Sequence, residues 1–124
     1  MIQKKRIYDQ YLADSDGKRI LVDRLWPRGV KKSDAHVDDW AKALAPSNGL
    51  RKAWHQGDID YSRFAQDYQK ELSESDDAQA YCQKLLDWES QGTVTLLYAA
   101  KNQEENHVLV LMDYLDQFNK ETEK

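Results

Sequence analysis

The sequence predicts a small α/β layered domain with about three mainly parallel strands and helices packed around them. Three observations carry this prediction. Ile20-Leu21-Val22 is a short, mostly β-branched apolar run that suits a central strand covered on both faces. Residues 93 to 100, Thr-Val-Thr-Leu-Leu-Tyr-Ala-Ala, form a second such run, bounded by Gly92 and by Lys101-Asn102. Between and after these runs, apolar residues recur at helical spacing. The resulting order of strand, strand, several helices, strand and helix is that of a layered α/β domain.

Residues 3 to 8 offer the first strand. Lys4, Lys5 and Arg6 would sit badly in a buried strand, so it belongs at a sheet edge. Asp14-Ser15-Asp16-Gly17 reads as a turn, preceded by one helical turn over Tyr11, Leu12 and Ala13. A parallel pairing of the first two strands would make this crossover shorter than usual. Pro27 has no amide proton and biases Trp26 away from helix, so the second strand stops near there. Gly29 admits a backbone angle that other residues resist. Ser33 or Asp34 then caps a helix whose apolar stripe is Val37, Trp40, Ala41 and Leu44, ended by Pro46.

Ser47 caps a second, short helix marked by Leu50, Ala53 and Trp54, with Gly57 as its natural end. Asp60 opens a third, with Tyr61, Phe64, Ala65, Tyr68 and Leu72 on its buried face. Residues 73 to 77 break the chain and cap a fourth, carried by Ala78, Tyr81, Cys82, Leu85 and Trp88. After the second clear strand, Asn102 and Glu105 have the spacing of a capping box. Val108, Leu111, Met112, Leu115 and Phe118 face the core from the last helix. Residues 119 to 124 read as a polar tail that frays. No repeat or linker divides the chain, so residues 1–124 are expected to form one domain.

Composition removes several classes of function. A charged fraction of 32% beside a hydrophobic fraction of 40% describes a soluble globular protein. The longest apolar runs are too short to cross a bilayer, and Met-Ile-Gln-Lys-Lys-Arg is followed by no apolar segment of the signal-peptide kind. Cys82 is the single cysteine, which excludes an internal disulfide and suits a reducing cytoplasm. No Cys/His spacing resembles a zinc site and no carboxylate cluster proposes a metal site, so neither metal nor cofactor is expected. A net charge of −4 disfavours nucleic acid as a general partner. An anion site would have to be a local basic patch.

That patch has two sources. Asp23, Arg24, Trp26 and Arg28 follow the first clear strand; Lys101, Asn102, Asn106 and His107 follow the second. Open α/β sheets bind ligands beyond the carboxyl ends of their strands. If the two strands are parallel and adjacent, three cations converge beside a helix start, where free amides and planar guanidinium groups favour a phosphate or a carboxylate. Each residue also has a plainer reading. Arg24 and Arg28 could pair with Asp23, Trp26 could be core rather than a stacking surface, and Lys101 could be solvated. Ser47 is first a helix cap and only then a phosphate ligand or nucleophile. His107 could accept a proton, or simply bond a loop carbonyl. His36 and His55 fall at surface positions, and Cys82, Tyr61, Tyr68 and Trp88 read as packing.

The run Arg-Ile-Leu-Val-Asp-Arg-Leu-Trp-Pro-Arg-Gly-Val-Lys-Lys at residues 19–32 resembles the hallmark of the YeaO-like branch of the domain of unknown function 488 family. Trp40, Ala45-Pro46-Ser47 with Leu50-Arg51, residues 96–102 and Asn106-His107 extend the resemblance over almost the whole chain. It implies an α/β fold and candidate positions, and brings no established reaction; some members are labelled transcriptional regulators. Longer relatives often carry a Cys after the late strand and a Cys-His-Arg further on. Here those stretches read Tyr98-Ala99-Ala100-Lys101 and Glu105-Asn106-His107-Val108, so covalent thiol chemistry does not carry over, and no Ser or Cys is visibly paired with a His.

The function expected from the sequence is therefore the binding of an anionic, phosphate- or nucleotide-like small molecule at the strand ends in a cytoplasmic protein, with acid–base catalysis by His107 as its extension. Two other classes compete with it. Lys31 and Lys32 enlarge the basic corner toward a nucleic-acid-binding or regulatory protein, and four tryptophans with seven tyrosines could supply a protein-interaction surface. No membrane partner is expected, and the oligomeric state is left open.

Overall fold

The late apolar run becomes the middle of the sheet. In the computed structural model, which describes residues 1–122, the elements follow one another as β1 (Ile2–Arg6), α1 (Ala13–Asp16), β2 (Lys18–Leu21), α2 (Lys32–Ala35), β3 (Asp39–Trp40), a 3-10 turn (Lys42–Leu44), α3 (Asn48–His55), α4 (Tyr61–Glu74), α5 (Asp76–Glu89), β4 (Val94–Tyr98) and α6 (His107–Thr122). The four strands lie in the order β1-β4-β2-β3 and all pair in parallel. β4 is buried at every position, whereas β1 is partly exposed along its length, as its lysines and arginine require of an edge strand.

Alternation along the strands fills two apolar layers. Ile20, Val22, Val94, Leu96 and Tyr98 join Phe64, Tyr68, Leu85 and Leu111 in the main core beneath α3 to α6. Leu21 and Leu97 point the other way, into a smaller cluster with Ile7 and Ala35 that is closed by Trp26, Val30, Val37 and Trp40. Both faces of β2 are therefore covered. The side-chain oxygens of Ser47, Asp60 and Ser75 accept hydrogen bonds from the backbone amides of Leu50, Arg63 and Ala78, so α3, α4 and α5 begin where the sequence places them.

The stretch from residue 33 to 44 corrects the sequence reading. The helical stripe of Val37, Trp40, Ala41 and Leu44 is not a helix. Only Lys32–Ala35 is helical; His36 then takes a left-handed φ of 51°, and Asp39–Trp40 pairs with Ile20 and Leu21 as a fourth strand. The open edge of β2 decides this, because the amides of Asp38 and Ala41 reach Arg19 O and Leu21 O at 2.8 and 2.7 Å. The stripe is shared between layers: Val37 and Trp40 close the small cluster, while Ala41 and Leu44 enter the main core.

Between β1 and β2 the helical turn is Ala13–Asp16, later than Tyr11–Ala13 and over residues expected to turn. This short connection passes β4, which lies between the two strands it joins. α6 continues to Thr122, so the expected polar tail is helical that far; residues 123 and 124 lie outside the described residues. Among the described residues, no helix is long and apolar enough to cross a membrane.

Candidate functional site

β2 and β4 are hydrogen-bonded neighbours, so their two polar loops leave the same edge of the sheet. Past the end of β2 the ladder continues one residue further, with Val22 N donating to Leu97 O at 3.0 Å. The Asp23 carboxylate then takes the place of a backbone acceptor: its Oδ2 receives the amide of Ala99 at 2.9 Å. The Arg6 guanidinium fastens the other side of the β4 loop, donating to Ala99 O and Ala100 O at 2.9 Å each.

Asp23 also meets α6. His107 Nε2 lies 3.1 Å from both Val22 O and Asp23 Oδ1. The contact with Val22 O is aligned as a hydrogen bond, and that with Oδ1 is close by distance alone, so the carboxylate oxygen has no hydrogen bond of its own. Both neighbours are acceptors, and Nε2 therefore carries a proton and donates. The bond to Val22 O is of the kind the plainer reading of His107 named, and it leaves only Nδ1 with a free lone pair. The second ring nitrogen, Nδ1, has no hydrogen bond to a described residue.

The cap of α6 is Asn106 rather than Asn102. Asn106 Oδ1 accepts from Leu109 N at 3.0 Å, while its Nδ2 donates to Asn102 O at 2.9 Å. Asn102 instead closes a local turn by accepting the amides of Glu104 and Glu105. Tyr61 donates to Asn106 O at 2.9 Å and anchors this junction to α4.

On the β2 side, Arg24 does not pair with Asp23. It donates to the carbonyls of Pro46 and Ala45 at 3.1 and 3.4 Å, binding the corner to the start of α3. Trp26 is partly buried, donates to Val30 O at 2.7 Å and meets Trp40 edge-on at 5.5 Å. Arg28 and Lys101 are exposed, and neither side chain has a partner among the described residues. Gly29 holds a φ of 74° in the loop behind them.

Together these loops border a cavity of about 670 Å³. Asp23, Arg24, Trp26, Arg28, Lys101, Asn102, Asn106 and His107 all lie on its lining. Ser47 does not. Its hydroxyl accepts from Leu50 N and donates to Glu71 Oε2 at 2.5 Å, so it is spent on the cap and on tying α3 to α4. The lining adds residues that the sequence reading left out: Pro46, Arg51, Trp54 and His55 on the α3 side, with Phe64 behind them. His55 was expected at the surface; it is exposed and yet borders the cavity. The signal for these residues was helical spacing, since Arg51, Trp54 and His55 stand at i, i+3 and i+4 on α3 and share a face.

The wall is thus apolar and aromatic, with cationic groups around it in a chain of net charge −4. Cys82 has no part in it: burial in the main core pushes its thiol up to about 12. Tyr68, which lies 6.3 Å from the His107 ring, is held protonated by its complete burial and donates to Leu44 O. Among the described residues, no group of three or more His, Cys, Asp or Glu side chains is placed to hold a metal ion.

The full span of residues 1–124 matches the family profile described as DUF488-N3i, the inactive DUF488-N3 subclade. The chain is 48% identical over 114 residues to the uncharacterized protein YeaO of Escherichia coli strain K12, an alignment covering 92% of this chain and 96% of that relative. It is 36% identical over 115 residues to uncharacterized proteins of Mycobacterium tuberculosis strain H37Rv and of Mycobacterium bovis, covering 93% of this chain and 93% of each relative. No solved structure matches the chain.

Proposed function

Because this chain belongs to the domain of unknown function 488 family, in the branch described as its inactive N3 subclade, we propose that it binds an anionic, phosphate- or nucleotide-like small molecule without transforming it. The observation that carries this reading is the cavity at the ends of β2 and β4, where Arg28 and Lys101 stand without partners beside an apolar wall. A volume of about 670 Å³ suits a ligand of that size. The description of the subclade as inactive supports binding over turnover. A reducing cytoplasm is the setting that fits a lone, buried, free Cys82.

Thermal stability across a panel of anions and nucleotides tests the proposal, with wild type and Arg28→Ala measured together. A ligand at a hundred times its dissociation constant stabilises by about 2.7 kcal/mol. The expected result is a shift in wild type that shrinks in the variant. No shift in wild type with any anion would overturn the reading.

One observation favours acid–base chemistry as a second reading: Asp23 and Val22 O fix the His107 ring and leave Nδ1 unengaged. Product analysis on the ligand found by the first experiment separates the two. A ligand recovered unchanged after long incubation keeps the binding reading, while one converted by wild type but not by His107→Asn replaces it.

A further inference from the structure

The α3 wall carries an arginine whose chemistry is unmet. Arg51 lines the cavity, its Nε is closed off from solvent, and that atom donates to nothing among the described residues. No ion pair or side-chain hydrogen bond joins the rest of its guanidinium to a described residue either. Arg51 as a whole is half-buried, and the fully buried Arg19 and the half-buried Arg24 differ from it. Arg19 is held by Asp16, His36 O and Ala35 O, and Arg24 by two carbonyls. A buried N–H without an acceptor is unfavourable in the free protein. A guanidinium offers two parallel N–H groups that match a carboxylate or a phosphate.

One turn along the same face stands Trp54. Its ring is stacked on Phe64 at 4.3 Å and tilted against Tyr61 at 5.4 Å, so it is a fixed wall of the cavity rather than a mobile side chain. The acids on the lining form no ion pair with Arg51: Asp23 Oδ2 is held by Ala99 N while its Oδ1 lies beside His107, and Glu105 is exposed on the α6 side. A flat ring against Trp54 and an anionic head on the arginine three residues earlier would use both features of the α3 face.

We propose that Arg51 is the anion anchor of this cavity, taking the phosphate or carboxylate of a ligand whose flat, ring-bearing body lies on Trp54. The inference rests on the binding reading above and names the chemical class that the site takes. Arg28 and Lys101, being exposed, contribute less, because solvent and salt screen them.

The test titrates phenyl phosphate, benzoate and inorganic phosphate into wild type, Arg51→Gln, Arg51→Lys, Trp54→Leu and Arg28→Ala by calorimetry. Each ligand-free variant is also melted. Wild type should bind phenyl phosphate or benzoate, and which of the two is tighter names the head group. Arg51→Gln should weaken that binding by ~30-fold or more, and Arg51→Lys should recover only part of it, since an ammonium lacks the planar fork. Trp54→Leu should cost the ring-bearing ligand about fivefold or more and leave inorganic phosphate unaffected. Without ligand, Arg51→Gln should melt at the wild-type temperature or above it, which a structural arginine would not permit.

Arg51→Gln binding as tightly as wild type while Arg28→Ala binds weakly would overturn the anchor and leave the cavity reading standing. A lowered ligand-free melting temperature in both Arg51 variants, with affinity intact, would make Arg51 a scaffold residue. Wild type binding none of the three probes would overturn both proposals.

Discussion

At Gly17 the chain turns with a φ of 60°, and a Cβ built there would lie 2.1 Å from Thr93 O. That carbonyl accepts the amide of Lys18 and so fixes the start of β2 against β4. Gly17→Ala combines a strained backbone angle with a collision against backbone, and it should cost more than about 2 kcal/mol. Urea unfolding would show this as a lower midpoint with an unchanged slope. The sequence marked the turn but not the contact, because Thr93 is remote along the chain. The neighbouring Asp16 was hidden in the same way. It is buried and pairs with Arg19 at 2.5 Å and Lys5 at 3.0 Å. Burial pushes its carboxyl up, but the hydrogen bonds from Leu12 N, Lys5 and Arg19 outweigh that and leave it below its ordinary value. A depressed carboxylate contributes stability that is full above the unfolded value of about 3.9 and is lost as pH falls through the folded one. Wild type should therefore lose stability below about pH 4, and Asp16→Asn should lose less over that interval while being less stable at pH 7. Chemical denaturation at pH 3, 4 and 7 checks both signs.

Elements whose ends are written locally were legible, and those set by a distant edge were not. Ser47, Asp60 and Ser75 name the starts of α3, α4 and α5 because a cap acts within three residues. Val37 to Leu44 has helical spacing, yet the unpaired edge of β2 takes those backbone groups, and two residues suffice for a strand once a partner is present. Asn102 lost the α6 cap to Asn106 although only Asn102 has a glutamate three residues on, because its side chain closes the turn before the helix instead. Ser47 offers the element-scale test. Ser47→Ala removes the acceptor of Leu50 N and the hydroxyl donor to Glu71 Oε2, so it should destabilise by about 1–2 kcal/mol. Since Ser47 lies off the cavity lining, ligand affinity in Ser47→Ala should equal that of wild type by calorimetry. A large loss of affinity with little change in stability would instead make Ser47 a ligand contact.

For the whole molecule, the decisive fact is that β2 and β4 are neighbours, which no local pattern states. Given it, Asp23 becomes the joint of the fold: its backbone oxygen accepts from Trp40 Nε1 at 2.7 Å, one carboxylate oxygen holds Ala99 N, and the other lies beside His107. The β3 edge, the β4 loop and α6 thus meet the end of β2 at one residue. The basic residues around the cavity were legible as a group because they follow the two clearest strands. Arg51 and Trp54 were not, since α3 reaches the same edge through contacts remote in sequence, packing on α4 and the Arg24 hydrogen bonds to Ala45 O and Pro46 O. Asp23→Asn probes the joint with almost no change in shape. If its amide oxygen keeps the bond from Ala99 N, its NH2 faces His107 Nε2, which already carries a proton donated to Val22 O. Two donors then oppose each other. If the amide turns over, Ala99 N loses its acceptor. Either arrangement leaves a polar group unmet, so Asp23→Asn should destabilise by about 1–3 kcal/mol. Nitrogen-15 NMR of wild type should show a proton on His107 Nε2, and hydrogen exchange at Ala99 N should quicken in the variant. A wild-type His107 protonated on Nδ1 alone would leave Nε2 with no proton to donate to Val22 O and would remove the opposition of two donors expected in Asp23→Asn.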